Sequence, residues 1–199
     1  RRSPPSQLLF ETHAFLFTGD APIQTGVAPG TIEPHRVAVL RGVVHDRAGA
    51  PIPGVQIRAL GHPEYGQTLT RADGRFDFAV NGGHRIKLDY AKEGLLPAQR
   101  GVPVGWERHV DLPEVVLIPE DDAVTRIDFS EPIQAARAHP VVDDLAERTP
   151  TALFLQGTTA ELVMPDGSTQ PVDALNVRIT EFTVGERGDE AMPAELPPA

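Results

Sequence analysis

The chain has 199 residues, a formal net charge of −10 and no cysteine. Its length suffices for one large or two small domains, its acidity repels nucleic-acid phosphates and anionic membrane surfaces, and the lack of cysteine excludes disulfides and thiolate chemistry. Eighteen glycines and twenty prolines, with only 6% aromatic residues, indicate many turns and short strands rather than a helical bundle. The sequence has no apolar run near the roughly 20 residues that span a bilayer, so we expect no direct membrane insertion.

Residues 1–35 contain five prolines and three glycines, which predict an extended lead-in. Phe15, Phe17 and Ile23 make this segment too apolar for a free linker. We expect these side chains to contact either the following domain or a part of the protein outside this chain. The chain opens on Arg1 and not on methionine, so we expect it to be a fragment of something longer.

Residues 36–119 show short apolar strands separated by glycine, proline and Asp-Gly turns. Phe76, Phe78 and Val80 alternate with more polar residues, which predicts a strand with one buried face. Glycine-containing turns flank this strand on both sides, and we interpret them as hairpins at 72–74 and 81–83. About seven such strands fit a two-sheet β-sandwich.

Residues 120–150 read as an acidic connector, in which Glu131–Arg137 is predicted to form two helical turns with a proline at the first position. The strand pattern returns at 151–186, and together with a strand at 123–129 it predicts a second, smaller β unit. A shift in apolar phase near Glu181 predicts a β-bulge or a strand that crosses between sheets. We interpret the last residues, 187–199, as a linker.

Few residue patterns in this chain carry chemistry. The seven histidines do not form a metal-ligand spacing on one helical face, and the nearest approach is His62-Pro63-Glu64. The acidic pair Asp121 and Asp122 is interpreted as solvated charge. We therefore predict no catalytic residue, no cofactor and no metal site. Trp106, the single tryptophan, has two interpretations: it stacks on a sugar ring, or it packs in the core.

The segment Val37 to Pro119 resembles the carboxypeptidase regulatory-like family, also called transthyretin-like. The resemblance rests on Gly42-Val43-Val44, Gly49, Pro51, Gly54-Val55, Thr70, Asp73-Gly74, Phe76, Gly82-Gly83 and Gly94-Leu95-Leu96-Pro97. It implies an all-β fold, a transthyretin-like Greek-key β-sandwich, followed here by the second small β domain. It also implies a non-catalytic module. The related hydroxyisourate hydrolases end in Tyr-Arg-Gly-Ser, an ending that this chain lacks.

A second resemblance covers almost the whole chain. The segments 17–27, 96–100, 157–168, 180–185 and 191–197 resemble the N-terminal region of large bacterial Rhs, or YD-repeat, proteins. In that family a sandwich and a small fibronectin-like plug precede a β-repeat shell that encloses a toxin or other cargo. The second β unit occupies the position of the plug.

We therefore expect a non-catalytic, structural region of a secreted or cell-surface bacterial Rhs-type protein. Its partner is the remainder of its own polypeptide, namely the repeat shell and the C-terminal cargo. Two alternatives stay open: a module that binds a carbohydrate or protein ligand, which an exposed Trp106 favours, and an enzyme auxiliary to a peptidase. The candidate partner contacts are Phe15, Phe17, Ile23, Trp106 and Phe182.

Overall fold

The computed structural model describes residues 5–144, 146–185 and 187–194, so the predicted linker 187–199 lies partly outside the described residues. Packing divides the chain into two units. Unit 1 comprises the chain up to Ile118 and again from Arg187, and unit 2 is Pro119–Glu186. Most elements are β-strands, and the predicted all-β, transthyretin-like fold class is confirmed.

Unit 1 is a sandwich of two four-stranded sheets. In the first sheet, β1 pairs antiparallel with β4 on one side and parallel with β7 and β8 on the other. The strand order of the second sheet is β3-β2-β5-β6, and all its pairings are antiparallel. The strands are β1 (Val37–His45), β2 (Gln56–Ala59), β3 (Gln67–Leu69), β4 (Arg75–Asn81), β5 (His84–Ala91), β6 (Ala98–Val104), β7 (Arg108–Asp111) and β8 (Val115–Val116).

The sandwich core is formed by the faces that the sequence alternation predicts. Phe76, Phe78 and Val80 on β4 are buried, and so are Ile86, Leu88 and Tyr90 on β5. The Phe76 and Tyr90 rings meet edge to face with their centroids 5.8 Å apart. The period-2 pattern of these strands therefore identifies which side chains join the two sheets.

The two turns predicted as hairpins instead carry the chain from one sheet to the other. The turn at Asp73-Gly74 joins β3 to β4, and the turn at Gly82-Gly83 joins β4 to β5, but β4 belongs to the first sheet and its neighbours to the second. Local turn chemistry is the same for both kinds of connection, so the sequence does not distinguish them. At Gly74 the backbone φ of +74° and the approach of the Val44 carbonyl both require glycine.

The lead-in begins with helix α1 (Pro5–His13), where the sequence predicts extended chain. The prolines explain the difference, because Pro5 stands at the first helical position, where its missing N–H is not needed, and the following residues contain no further proline or glycine. A short 3₁₀ turn, Ala14–Leu16, follows, and a second one lies at Pro63–Tyr65.

The rest of the lead-in is fastened to the sandwich by buried amide side chains. Gln24 is fully buried: its Nε2 donates to the carbonyls of Tyr65 (2.8 Å) and Ala79 (2.9 Å), and its Oε1 accepts from the Ala79 N–H (2.6 Å). Asn81 likewise donates to the Thr31 carbonyl at 2.7 Å. The Gln24 amide thus pairs with the free side of β4 as a neighbouring strand would.

Unit 2 consists of small antiparallel pairs: β9 with β16, β10 with β13, β11 with β12, and β14 with β15. The predicted helix at Glu131–Arg137 is wrong, because Ile133–Arg137 is strand β10 and pairs with β13. Cross-strand pairing overrides the weak helical propensity of these residues. The strands are β9 (Val124–Asp128), β10 (Ile133–Arg137), β11 (Val141–Val142), β12 (Glu147–Arg148), β13 (Thr151–Leu155), β14 (Ala160–Val163), β15 (Thr169–Val172) and β16 (Ala174–Arg178).

The ends of two unit 2 strands also bear on the sequence predictions. The Pro165–Ser168 segment forms the turn of the β14–β15 hairpin, closed by a 2.8 Å hydrogen bond from the Met164 N–H to the Ser168 carbonyl. The bulge or crossing strand predicted near Glu181 is wrong, because β16 ends at Arg178 and no strand follows in the described residues up to 185. The shift in apolar phase there marks the end of a strand.

Residues 187–194, which fall in the predicted linker, pack on the sandwich. Asp189–Ala191 forms a 3₁₀ turn, and Ala191 is buried. Arg100 on β6 donates from Nη1 to the Met192 carbonyl at 2.8 Å and from Nη2 to the Glu190 carbonyl at 2.6 Å. We call this segment the return segment, because it brings the chain back to unit 1 after unit 2.

Candidate interaction surfaces

Trp106 lies on the glycine turn between β4 and β5. A Cβ atom on Gly83 would be 2.3 Å from the indole Nε1, and one on Gly82 would be 2.2 Å from the Gly105 carbonyl oxygen, so both glycines are needed for this close approach. The indole is nevertheless 56% exposed, and the interpretation of Trp106 as a core residue is wrong. Glycine leaves the ring flat against backbone on one side and open to solvent on the other. Such a surface suits a flat apolar ligand.

The lead-in residues predicted to contact a partner have different surroundings. Phe17 is half-buried, packs against the sandwich core and contacts Phe10 edge to face at 5.6 Å. Phe15 is 59% exposed beside the His13 ring, and Ile23 is also exposed. Phe182 is half-buried within unit 2. The two exposed members, Phe15 and Ile23, are therefore the ones available to a partner.

Unit 2 carries an apolar surface that the sequence patterns did not predict. Ile133 is directly opposite Leu155, and Leu153 is opposite Ala135, so the three large side chains share one face of the β10–β13 pair. Their exposures are 69% for Ile133, 66% for Leu153 and 61% for Leu155. We call this surface the apolar face. The predicted helix at Glu131–Arg137 did not reveal this surface, because a helix does not place Ile133 beside the leucines of β13 as a paired strand does.

Two groups of titratable side chains also come together. His139 Nδ1 lies 3.0 Å from Asp121 Oδ1 and 3.1 Å from Asp122 Oδ1. Burial raises the pKa of Asp121, but hydrogen bonds from the Ala123 and His139 N–H groups outweigh it and hold this pKa below its ordinary value. Because Asp121 already accepts these bonds, the cluster fixes a turn. In the described part of the chain, Asp121, Asp122 and His139 form the group whose carboxylate and imidazole atoms lie close enough together to hold a cation.

The sequence His62-Pro63-Glu64 forms the other group. His62 Nδ1 lies 2.9 Å from Glu64 Oε1, and this hydrogen bond lowers the pKa of Glu64. The His62 ring also contacts the Tyr65 and His84 rings, with centroids 5.5 and 5.4 Å away. The His62 ring is thus tilted against two neighbouring rings.

The described residues contain no helix of the length and apolarity that a membrane crossing requires. Three clefts among the described residues are open to solvent. One of about 520 Å³ lies beside Arg58 and Gln67, and Gln67 Oε1 already accepts from Arg58 at 2.8 Å and from Gln56 at 2.7 Å. The Arg58 and Gln67 side chains of this cleft are therefore paired with each other.

Comparison with known proteins shows what the sandwich is similar to. Residues 32–117 match the family described as Teneurin TTR-like domain. The chain is 32% identical over 128 residues to Teneurin-1 of Gallus gallus and 34% identical over 119 residues to Teneurin-m of Drosophila melanogaster. These alignments cover 63% and 59% of this chain but only 5% and 4% of the relatives. The chain therefore corresponds to a small part of those much longer proteins.

Likeness to solved structures is weak. The Streptococcal ancillary pilin aligns with 73% of this chain and 59% of its own, at 12% identity and a TM-score of 0.36. A 3-chlorocatechol 1,2-dioxygenase from Rhodococcus opacus aligns with 44% of this chain and 52% of its own, at 17% identity and a TM-score of 0.33. Scores this low carry no argument about function. The family match and the sandwich topology agree, and the chain carries a transthyretin-like domain similar to that of the teneurins.

Proposed function

We propose that this chain is a non-catalytic structural region of a large multidomain protein, in which unit 2 packs on or seals a β-repeat shell of the Rhs type. The apolar face of unit 2 is the observation that carries the proposal. Its three aliphatic side chains, Ile133, Leu153 and Leu155, are each more than 60% exposed and adjacent on one sheet surface. Contiguous apolar surface of this kind favours an interaction site.

The internal packing of unit 2 supports the same conclusion. The buried apolar side chains described in this unit are Ile127, Ala136, Ala138 and Val184, which is a small core for a unit built from two-stranded pairs. Isolated two-stranded sheets are marginally stable in water, and small units need additional contacts. A further surface that covers the apolar face would supply them.

The occupant we propose is the remainder of the same polypeptide. The alignment with Teneurin-1 covers 5% of that relative. The relative is therefore about twenty times longer than the segment that it shares with this chain. An intramolecular partner is present at high effective concentration, so even a modest apolar contact stays formed. The proposal includes a secreted or cell-surface location and a bacterial source, both of which rest on the Rhs resemblance.

The first test is the intact mass of the native product, captured from its source cells with an antibody against unit 1. We expect a species many times larger than 21.5 kDa, with Tyr-Asp repeat peptides in its digest. A stable product near that mass, with no longer precursor, would contradict the proposal.

The second test uses the repeat region expressed as a separate chain and mixed with this one. We expect association that Leu155→Glu weakens by roughly tenfold or more, because a carboxylate would be buried in an apolar contact. Leu69→Glu is the matched control, since Leu69 is a similarly exposed leucine on β3 of the sandwich. Equal binding by the two variants would show that the apolar face is not the contact.

A second candidate function is favoured by Trp106. Its exposed indole on a glycine turn is the arrangement that the ligand-binding alternative requires, and a carbohydrate is the ligand that a flat exposed indole fits. Quenching or shift of the single tryptophan's fluorescence by a panel of oligosaccharides tests this candidate directly. Binding that survives Trp106→Ala, measured by calorimetry, would locate the ligand elsewhere.

A further inference from the structure

Helix α1 is joined to the sandwich by a contact between two imidazoles. His13, the last residue of α1, places its Nε2 atom 3.0 Å from Nε2 of His109 on β7. Arg41 on β1 approaches the same His13 nitrogen with Nη2 at 3.5 Å. The other ring nitrogen of His13, Nδ1, lies 3.0 Å from the Leu9 carbonyl oxygen within the helix. One histidine thus connects the helix to two strands.

When both rings are neutral, these partners allow one arrangement of hydrogens. A carbonyl oxygen only accepts, so His13 Nδ1 carries the hydrogen and donates to Leu9. Neutral His13 then has a lone pair on Nε2, which accepts from His109 Nε2–H and is approached by the Arg41 guanidinium. With His109 in this tautomer, the contact requires His13 to be neutral.

Protonation of His13 removes the acceptor. Its Nε2 then carries a hydrogen that faces two other donors. The ring contact survives only if His109 moves its own hydrogen to Nδ1, and the positive charge then stays beside the Arg41 guanidinium. A second proton, on His109, leaves no lone pair between the two rings. Acid thus replaces an attraction by a repulsion.

The charges around the pair come from three strands. Arg41 on β1 disfavours a proton on His109, whereas Asp77 on β4 and Asp111 on β7 favour one. Asp77 is itself engaged by Arg41 at 3.3 Å and by Arg71 at 2.7 Å, which reduces its influence. Burial, with Arg41 and then His13, lowers the pKa of His109 despite the two carboxylates.

The helix covers part of the sandwich. Leu9 and Phe10 on α1 pack against the core cluster, and Phe10 contacts the Phe17 ring. These apolar contacts do not depend on pH.

We propose that α1 is a pH-sensitive strap, held closed on β1 and β7 by the neutral His13–His109 pair and loosened when these imidazoles become protonated. Free imidazoles titrate near pH 6.5. Burial and Arg41 lower the pKa of His109 in the docked state, so docking is strongest above this pH and weakens as the pH falls below it. Opening uncovers apolar surface on α1 and on the sandwich.

Amide hydrogen exchange on the full chain tests the strap. Exchange of residues 9–13 is measured at pH 7.4 and 5.4 and corrected for the intrinsic pH dependence of the chemistry. Loss of one or two hydrogen bonds at this contact predicts roughly tenfold lower protection at the lower pH. Amides of β4 and β5 report whether the sandwich itself stays folded.

His13→Gln is the informative variant, because its Oε1 accepts from both donors without titrating. We expect its protection at 9–13 to change less than twofold between the two pH values, and His35→Gln, at an exposed histidine, to behave as the unmodified chain does. The proposal is overturned by equal protection at both pH values, by an unchanged pH effect in His13→Gln, or by loss of protection that extends equally through β4 and β5.

Discussion

Replacing Gln24 by leucine tests whether the lead-in is part of the sandwich. Leucine has nearly the volume of glutamine but no polar atoms, so the Ala79 N–H and the carbonyls of Ala79 and Tyr65 lose their partner in a fully buried place. Each unsatisfied buried backbone group costs about 1–3 kcal/mol. Allowing for some entry of water, we expect the free energy of unfolding to fall by about 3–6 kcal/mol.

Urea unfolding of the full chain, followed by far-UV circular dichroism, measures this loss. With a slope of about 2 kcal/mol per molar urea, the unfolding midpoint of the sandwich falls by roughly 1.5–3 M. Gln170→Leu is the control, because Gln170 is an exposed glutamine on β15 and such substitutions change stability by less than about 0.5 kcal/mol. A Gln24→Leu chain within 1 kcal/mol (roughly fivefold in equilibrium constant) of the unmodified protein would refute the role of this side chain as a strand substitute.

Two substitutions and one pH titration probe other contacts of unit 1. Gly82→Ala places a Cβ 2.2 Å from the Gly105 carbonyl and should destabilise the chain by about 2–4 kcal/mol in the same urea assay; an unchanged midpoint would contradict the close approach. Burial raises the pKa of Tyr90, with Arg100 opposing, so this phenol ionises only as the protein unfolds and stability falls above about pH 10; reversible ionisation near pH 10 in a native ultraviolet titration would contradict this. Arg100→Ala removes two hydrogen bonds that hold the return segment on β6 and should speed proteolysis within 187–194. Cleavage at the unmodified rate would show that these bonds do not protect the segment.

The sequence predicts the core side of β4 and β5 well because large apolar side chains alternate with smaller or more polar ones along both strands. Alternation in β4 and β5 identifies Phe76, Phe78, Ile86 and Leu88 as core residues, and the structure buries all four. The sheet to which each strand belongs is not predicted from the sequence. It depends on pairings between distant residues, such as Val39 with Ala79, that leave no local signal.

Unit 2 shows the limit of local patterns more clearly. Ile133–Arg137 has neither strong alternation nor strong helix signals, and its pairing with β13 decides its conformation. Because the strand was not predicted, neither was the apolar face that it forms with Leu153 and Leu155. Trp106 likewise has no sequence pattern that distinguishes a buried indole from an exposed one, since its position is set by the glycine turn beneath it.

The return segment also determines how the chain would carry mechanical load. The backbone leaves the sandwich after Ile118, forms unit 2, and is fastened to the sandwich again by Arg100 and by the bond from the Gln99 N–H to the Pro193 carbonyl, at 2.7 Å. Tension applied beyond residue 194 therefore passes directly into β6 and leaves the strands of unit 2 slack. Unit 2 comes under this tension only after the return segment detaches from the sandwich.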